Sequence, residues 1–256
     1  MLEISNVEIA GWEAALRGMR NPKNSWERSD SLFDVPVWDG DGDLVDIHPV
    51  ELGPNDLKLA STLADGGPVH AKYRRMIVVW LDINAPLYWW KEFDTYKVGT
   101  VANSCSTMHK IHAKEFTASD FSMEHLLALD DMGEMNIPVI ESSRGVEFTP
   151  VGMISYTICM LNKARDAYLR HCNTPTKDLE KHKQVAKTLW WQMIQLLPSC
   201  YNQKRTVMLN YEVLTNIYKW RRNHKLDEWH VICDWIESLP FSELITGIRL
   251  SEDDKK

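Results

Sequence analysis

Residues 74–101 read RRMIVVWLDINAPLYWWKEFDTYKVGTV and contain the longest apolar run of the chain. Its β-branched and aromatic residues predict a strand over 74–83 that is central in a sheet or buried on both faces. Ala85–Phe93 is predicted to be a helix, because Pro86 is tolerated in a first helical turn. Tyr96–Val101 is predicted as a second strand. This part of the chain therefore supplies the predicted sheet.

The second half of the chain is predicted to be mostly helical. The predicted helices are Met153–Arg170, Thr176–Leu197, Tyr211–Arg222 and Asp227–Ser238, with one strand at Lys204–Leu209. Pro198 and Pro240 stand where two of these helices should end. An early sheet followed by helices predicts an α+β fold with a central sheet flanked by helices. No repeat or charged linker divides residues 1–256, so we expect one domain, with 251–256 as a disordered tail.

The N-terminal part predicts a strand at residues 2–9 and a helix at Trp12–Met19. Residues 18–31, GMRNPKNSWERSDS, are rich in Asn, Ser and Pro and predict a loop. This loop has many hydrogen-bond donors around Arg20 and no clear core role, which favours a ligand or interface contact. Residues 39–54, DGDGDLVDIHPVELGP, carry turn chemistry throughout.

Three carboxylates in this turn-rich stretch resemble the start of a calcium loop. Asp39, Asp41 and Asp43 have the required spacing. However, Leu44 stands where the sharp turn needs Gly, and Val50 where a Glu should close the site. We therefore expect a hairpin turn here rather than a metal site.

Charge and cysteine content restrict the class of protein. The formal net charge of -7 argues against non-specific DNA or RNA binding, which needs a basic face. The 5 cysteines are scattered without a CxxC pair, which indicates reduced thiols in a cytosolic compartment. No signal peptide or bilayer-spanning run is visible. We expect a soluble cytoplasmic protein that binds neither nucleic acid nor membrane.

Two separated stretches carry the motifs of a known family, in the same order and at nearly the same spacing. Residues 76–109 combine an apolar strand, an Ala-Pro step, an aromatic helix, and a polar segment ending in NSCSTMH. Residues 197–223 read LPSCYNQKRTVMLNYEVLTNIYKWRRN. Together they resemble the flavin-dependent thymidylate synthase (ThyX) family and imply a ThyX-like domain.

The family's signature positions hold altered residues here. Thr95-Tyr96-Lys97 stands at the family's Arg-His-Arg, and residues 103–109 stand at its Asn-Glu-x-Ser-x-Arg-Tyr. His70-Ala71-Lys72 stands where the family often has His-x-Ser/Thr. The resemblance implies cofactor-binding residues His70, Lys72, Arg75, Thr95, Tyr96, Lys97 and Arg221. The candidate substrate-binding residues in these segments are Glu92, Ser104, Ser106, His109, Asn210 and Glu212, and the donor-rich loop 18–31 adds Arg20.

The family makes thymidylate from deoxyuridylate. The resemblance therefore implies FAD as cofactor, NADPH and methylene-tetrahydrofolate as co-substrates, and a homotetramer or other homo-oligomer with sites between subunits. No protein side chain attacks the base in this family, so the flavin carries the chemistry and the protein supplies orientation.

Several cations that the family uses to hold a phosphate are absent. Glu212 stands where the resemblance expects an arginine after Asn210, and Met108 where it expects one beside Ser106. A carboxylate in place of such a cation repels phosphate, so binding of deoxyuridylate in the family's manner is disfavoured. Glu212 could be a general base or a ligand for a ribose hydroxyl, and a surface carboxylate is the simpler interpretation.

Three functions follow from this mixture. The first is a divergent flavin-dependent methyl- or hydroxymethyltransferase for a pyrimidine nucleotide other than deoxyuridylate. The second is a non-catalytic protein that binds or sequesters a nucleotide, as a virus or phage could use. The third is a structural protein that keeps only the fold.

Overall fold

The computed structural model describes residues 2–135, 137, 139–141, 143, 147–175 and 178–247. The strands are β1 (Glu3–Ala10), β2 (Leu32–Trp38), β3 (Leu44–Glu51), β4 (Val78–Pro86), β5 (Val101–Ser104), β6 (Ile140–Glu141), β7 (Glu147–Phe148) and β8 (Asn202–Asn210). The helices are α1 (Trp12–Arg20), α2 (Pro54–Asp65), α3 (Leu87–Phe93), α4 (Thr107–Lys110), α5 (Leu129–Glu134), α6 (Pro150–Asn173), α7 (Leu179–Leu196), α8 (Tyr211–Arg221), α9 (Asp227–Ser238) and α10 (Glu243–Thr246). The predicted tail 251–256 and the start of the predicted helix at Thr176 lie outside the described residues.

A four-stranded sheet has the order β1-β4-β8-β5, and β2–β3 and β6–β7 form separate two-stranded sheets. Of the two predicted alternatives for this strand, the central position is confirmed, since β4 lies between β1 and β8. Val79, Leu81 and Ile83 are buried, whereas Trp80 on the opposite face is 39% exposed. The strand begins at Val78 rather than at residue 74, because Lys72–Arg75 forms a 3-10 turn. The second predicted strand, Tyr96–Val101, is also displaced, because β5 begins only at Val101.

The chain divides into two compact units. The central unit comprises Asn84–Glu92 and Ser104–Lys204, and the terminal unit comprises Leu2–Ile83, Phe93–Asn103 and the chain from Arg205 onward. The boundaries fall inside strands β4, β5 and β8. The single domain over the whole chain stays a prediction.

The central unit is built around the long helices α6 and α7. Their sequences hold the 3.6-residue apolar period over several turns, so each has an inward face. Pro150 starts α6, and the side chain of Thr149 caps it by accepting from the backbone N–H of Gly152. The core of this unit is a cluster of apolar side chains, namely Ile111, Phe116, Phe121, Leu161 and Met193.

The terminal unit has an aromatic core. Trp12 packs edge-on against Tyr211 and Phe241, with ring centroids 5.3 and 5.5 Å apart. Gly11 precedes α1 with φ 95°, and a Cβ there would lie 2.1 Å from the carbonyl oxygen of Met76. Only glycine fits this position, because the left-handed conformation and the close backbone approach both exclude a side chain.

The hairpin β2–β3 changes the interpretation of residues 39–54. The turn at Asp39 is confirmed, since its carboxylate accepts from the backbone N–H of Asp41 and Asp43, both at 2.9 Å. The expectation of turn structure throughout is wrong, because Leu44–Glu51 is strand β3, paired antiparallel with β2. Apart from Val50, the side chains of β3 are exposed, including the apolar Leu44, Val45 and Ile47.

None of the helices in the described ranges has the length and apolarity needed to cross a bilayer.

Candidate functional site

An aromatic and guanidinium cluster forms in the terminal unit from two segments that the sequence predicts as cofactor-binding. Arg221, the last residue of α8, donates from Nε to the Tyr96 hydroxyl at 3.0 Å. Its guanidinium lies 4.7 Å from the ring centroid of Trp229 and 5.6 Å from that of Tyr96. Such a stack holds the guanidinium in place. Two of the predicted residues, Tyr96 and Arg221, are thus in direct contact.

Helix α9 supplies the support for this cluster. The Trp229 ring stacks on Phe93 at 6.5 Å and an interplanar angle of 20°, and meets Tyr96 edge-on at 6.0 Å. Phe93 and Trp229 are buried, 2% and 0% exposed, so the wall behind the guanidinium is rigid. Sequence reasoning missed Trp229, although its position on the apolar face of α9 was visible.

A cleft of about 370 Å³ opens beside this cluster, within the size range of small-ligand sites. It is lined by Phe93, Asp94, Tyr96, Lys97, Thr100 and Ala102. Lys97 is exposed, and Asp94 accepts from Arg205 at 2.7 Å. Thr100 Oγ1 is buried and has no hydrogen-bond partner among the described residues. A buried hydroxyl without a partner is rare in folded proteins.

The turn after Lys97 lies against the start of α8. Asn210 caps that helix by accepting from the backbone N–H of Val213 at 3.0 Å. Gly99 has φ 80°, and a Cβ there would lie 3.1 Å from both Asn210 Nδ2 and Val213 Cγ2. The two predicted segments around Lys97 and Asn210 therefore meet within the terminal unit.

Glu212 is not a surface carboxylate, and that expectation is wrong. It is 9% exposed and lies 4.0 Å from Nη1 of Arg74, which is 6% exposed. Arg74 Nε and Glu212 Oε2 are buried and make no hydrogen bond among the described residues. Burial raises the pKa of the neighbouring Tyr73 to about 12, and the nearby Arg74 opposes this shift only partly. Tyr73 therefore stays neutral and does not compensate the charge of Arg74.

Arg20 is buried in a structural network. Its guanidinium donates to the Asp56 carboxylate at 2.6 Å and to the carbonyl oxygens of Ser25 and Arg28 at 3.1 and 2.9 Å. The donors of the 18–31 loop are used inside the protein in this way. A contact of Arg20 with substrate stays a prediction.

The other predicted cofactor residues lie on exposed chain. His70, Lys72 and Arg75 are exposed on and just before the 3-10 turn that holds Arg74. Thr95 is exposed beside Tyr96. His70, Lys72 and Arg75 form a polar surface on or beside the turn that also holds the buried Arg74.

In the central unit, the predicted substrate residues cluster around α4. The Ser106 side chain caps α4 by accepting from the backbone N–H of His109 at 3.0 Å. Ser104, Ser106 and His109 are exposed, and Glu92 is half-buried at the end of α3. The Gln203 side chain donates to the carbonyl oxygen of Cys105 at 2.9 Å and fixes this segment.

Comparison with solved structures identifies the fold. It is the fold of the flavin-dependent thymidylate synthases, which confirms the resemblance and the α+β class at the level of fold.

Two solved relatives show the extent of the likeness. The ThyX of Helicobacter pylori, solved with FAD and dUMP, has a TM-score of 0.56 and 14% identity and covers 96% of this chain and 98% of its own. The UMP/dUMP methylase PolB of Streptomyces cacaoi, bound with 5-Br dUMP, has a TM-score of 0.53 and 12% identity and covers 97% of this chain and 96% of its own. No family model matches the chain, and no curated protein sequence matches it.

Proposed function

We propose that this protein is a divergent flavin-dependent methyl- or hydroxymethyltransferase acting on a pyrimidine nucleotide. The observation that carries the proposal is the cleft lined by Tyr96 and Lys97, with the Tyr96 ring held in its wall by the hydrogen bond from Arg221. The solved relatives bind FAD with dUMP, or 5-Br dUMP, on the same fold. Fold alone does not assign an activity, so the residues of the cleft must carry the argument.

Two residues of the cleft lining suit a flavin dinucleotide. Lys97 is exposed and offers a cation to a diphosphate. Tyr96 offers an aromatic face. Bound FAD would supply hydride transfer, with NADPH as reductant and methylene-tetrahydrofolate as carbon donor.

The protein's own contribution in this proposal is orientation. The Tyr96 hydroxyl and the Trp229 ring hold the guanidinium of Arg221 from two sides, and this contact fixes the Tyr96 ring in the wall of the cleft. The Asp94–Arg205 pair fixes Asp94 on the lining of the same cleft. A preorganised wall needs no rearrangement when a ligand binds.

We propose a homo-oligomer, in keeping with the homotetramer that the family resemblance implies, in which a second copy completes the site. Val98, next to Lys97, is 91% exposed, and Trp220, next to Arg221, is 68% exposed. Exposed apolar side chains beside a polar cleft are typical of a surface that a partner covers. Light scattering coupled to size exclusion measures the mass; a monomer at micromolar concentration contradicts this part.

A second candidate function is nucleotide binding without catalysis. The Arg74–Glu212 pair favours this candidate. Glu212 stands where the resemblance places an arginine after Asn210, so this position holds an ion pair without net charge instead of a cation. Native mass spectrometry would then release an intact nucleotide-sized ligand. Turnover of that ligand contradicts this candidate.

The absorption spectrum of the purified protein separates the two candidates. A flavoprotein is yellow and shows the near-ultraviolet and blue bands of oxidised flavin, or acquires them when FAD is added. Lys97→Gln should then weaken FAD binding about tenfold, the loss of one charge-assisted contact. The matched control, Lys181→Gln on exposed α7 chain, should leave it unchanged. A colourless protein that takes up no FAD contradicts the enzymatic proposal.

A further inference from the structure

A cavity of about 420 Å³ lies in the central unit between the end of α6 and the first turns of α7. Leu179, Ala186 and the Trp190 ring give it an apolar and aromatic wall. The Trp190 ring is fixed, because its Nε1 donates to the carbonyl oxygen of Met108 at 2.9 Å. A cavity of this volume with such a wall has room for a small organic ligand.

The polar part of this lining carries charge of one sign. It contains two lysines, Lys183 and Lys187, and two imidazoles, His171 and His182. Among the described residues that line the cavity there is no Asp or Glu. Cations around an apolar wall without a carboxylate attract anions and repel cations. The lining therefore suits a ligand with a negative charge.

Both lysines are available to such a ligand. They stand four residues apart, so they lie on the same face of α7. Lys183 pairs with Glu180 at 2.9 Å, but the two side chains are 61% and 86% exposed. An exposed ion pair of this kind contributes little free energy, so an anion in the cavity can take the place of Glu180. Lys187 is exposed as well.

The two histidines join α6 to α7. Their Nδ1 atoms are 3.3 Å apart, and their ring centroids are 4.9 Å apart. At this distance one ring donates and the other accepts, so a second proton on the pair would place two N–H groups face to face.

The groups around the histidine pair do not offset that second charge. Lys183 and Lys187 on α7 are cations, and Tyr168 and Cys172 come from α6. Burial and the Cys172 thiol raise the pKa of Tyr168, so its hydroxyl stays neutral. A bound anion would supply the missing negative charge, and we therefore expect anion binding to be coupled to proton uptake.

We propose that this cavity binds a small organic anion, a carboxylate or phosphate on an apolar body. Lys183, Lys187 and the histidine pair contact the charged end, and the Trp190 ring contacts the body. The inference goes beyond the proposed function, because this cavity lies in the central unit and the proposed flavin cleft in the terminal unit.

The ligand-side test separates the charge from the apolar body. Isothermal calorimetry compares phenyl phosphate and benzoate with methyl phosphate and acetate, which lack the ring, and with phenol, which lacks the charge. The tighter of the two aromatic anions identifies the anionic group, and it should bind at least about tenfold tighter than its ringless counterpart and than phenol. Equal binding of phenol and the aromatic anions overturns the proposal, and so does the absence of binding at millimolar concentration.

The protein-side test removes one charge inside the cavity and one outside it. Lys187→Gln should weaken the aromatic anion about tenfold. Lys181→Gln lies on the same helix outside the described lining and should change the affinity less than about twofold. Circular dichroism checks that both variants keep their helices. Equal losses in the two variants would reduce the effect to the general charge of α7 and overturn the proposal.

A pH series tests the histidine pair. The probe is benzoate or phenyl sulfate, according to the anionic group identified, because neither changes its charge between about pH 5.5 and pH 8. Affinity should be at least about fivefold higher at the lower pH, since an imidazole ordinarily titrates near 6.5. His182→Gln should remove most of this dependence. Equal affinity of the wild type at both pH values excludes the histidine pair from the site and overturns the proposal as stated.

FAD uptake distinguishes this cavity from the flavin cleft. Lys187→Gln should lose the aromatic anion and keep the FAD uptake of the wild type, whereas Lys97→Gln should do the reverse. If Lys187→Gln lowers FAD uptake as much as Lys97→Gln does, the cavity is not a separate site and the inference fails. A colourless protein that still binds the anion through Lys187 supports the cavity and contradicts only the flavin proposal.

Discussion

Two buried arginine–carboxylate pairs in the terminal unit have the same chemistry and opposite states. Arg20 and Asp56 lie 2.6 Å apart, and the Asp56 carboxylate also accepts from both side chains and backbone groups of the 29–31 loop. Arg74 and Glu212 lie 4.0 Å apart, and each keeps a buried polar atom without a hydrogen bond. The second pair borders a cleft of about 430 Å³, and Arg20 of the first pair lines a smaller one of about 180 Å³.

The difference shows that the fold satisfies the polar atoms of the first pair and leaves two polar atoms of the second without hydrogen bonds. A buried pair is worth its desolvation only when hydrogen bonds satisfy the remaining lone pairs and protons. Arg20–Asp56 meets this condition and ties the 18–31 loop to α2. Arg74–Glu212 does not meet it, so stability does not explain its presence.

The largest expected effect is on stability, from Asp56→Asn. The change leaves the guanidinium of Arg20 buried beside a neutral amide and weakens every hydrogen bond to the loop. The free energy of unfolding in urea should fall by about 3–5 kcal/mol. Glu13→Gln breaks the exposed pair with Arg17 and should change the free energy of unfolding by less than about 0.5 kcal/mol. Similar losses in both variants would mean that burial does not separate the two pairs.

The same network predicts a pH dependence. Burial alone would raise the pKa of Asp56, but hydrogen bonds from Ser29, Ser31 and Arg20 outweigh it and hold the pKa below its usual range. A lowered pKa means that the stabilisation is complete above the unfolded value of about 3.9 and is lost as the pH falls through the folded value. The stability difference between wild type and Asp56→Asn should therefore shrink in urea titrations below about pH 4. If the stability difference between wild type and Asp56→Asn stays constant below about pH 4, the lowered pKa of Asp56 does not contribute to stability.

The fold was largely predictable where one periodic pattern controls burial. Helix α9 has the predicted bounds Asp227–Ser238, and α8 ends one residue before the prediction. In both helices, apolar residues recur on one face that the unit buries. Strand β3 was missed because turn-forming residues flank it on both sides. Its own apolar residues Leu44, Val45 and Ile47 are exposed, so they mark no core face.

The candidate site was only partly predictable. The family resemblance located Tyr96, Lys97, Asn210 and Arg221, because sequence motifs mark them. The burial of Glu212 was not predictable, since its neutralising partner Arg74 is far away in the sequence and only the fold brings the two together. The free hydroxyl of Thr100 likewise depends on which neighbours fail to reach it, and no local pattern encodes that.

A smaller effect is expected from Tyr96→Phe. The change removes the hydrogen bond from Arg221 Nε but keeps the ring that the guanidinium covers. The free energy of unfolding should fall by about 1 kcal/mol, since the stack on Trp229 remains. Tyr156→Phe, at a tyrosine that is 63% exposed, should have almost no effect in the same urea titration. If Tyr96→Phe leaves the free energy of unfolding unchanged, the hydrogen bond from Arg221 does not help to hold Tyr96 in the wall of the cleft.

The smallest expected effect comes from replacing the unsatisfied pair by apolar residues, Arg74→Met with Glu212→Leu. Well-packed hydrophobic residues in place of a buried ion pair often leave stability unchanged or raise it. Because this pair lacks hydrogen bonds that would be lost, the double variant should match wild type or gain about 1 kcal/mol in urea unfolding. The same exchange at the first pair, Arg20→Met with Asp56→Leu, should still destabilise, because Ser29 and Ser31 lose their acceptor. If the two double variants lose equal stability, both pairs serve the fold, and the incomplete hydrogen bonding of Arg74 and Glu212 does not set them apart from the first pair.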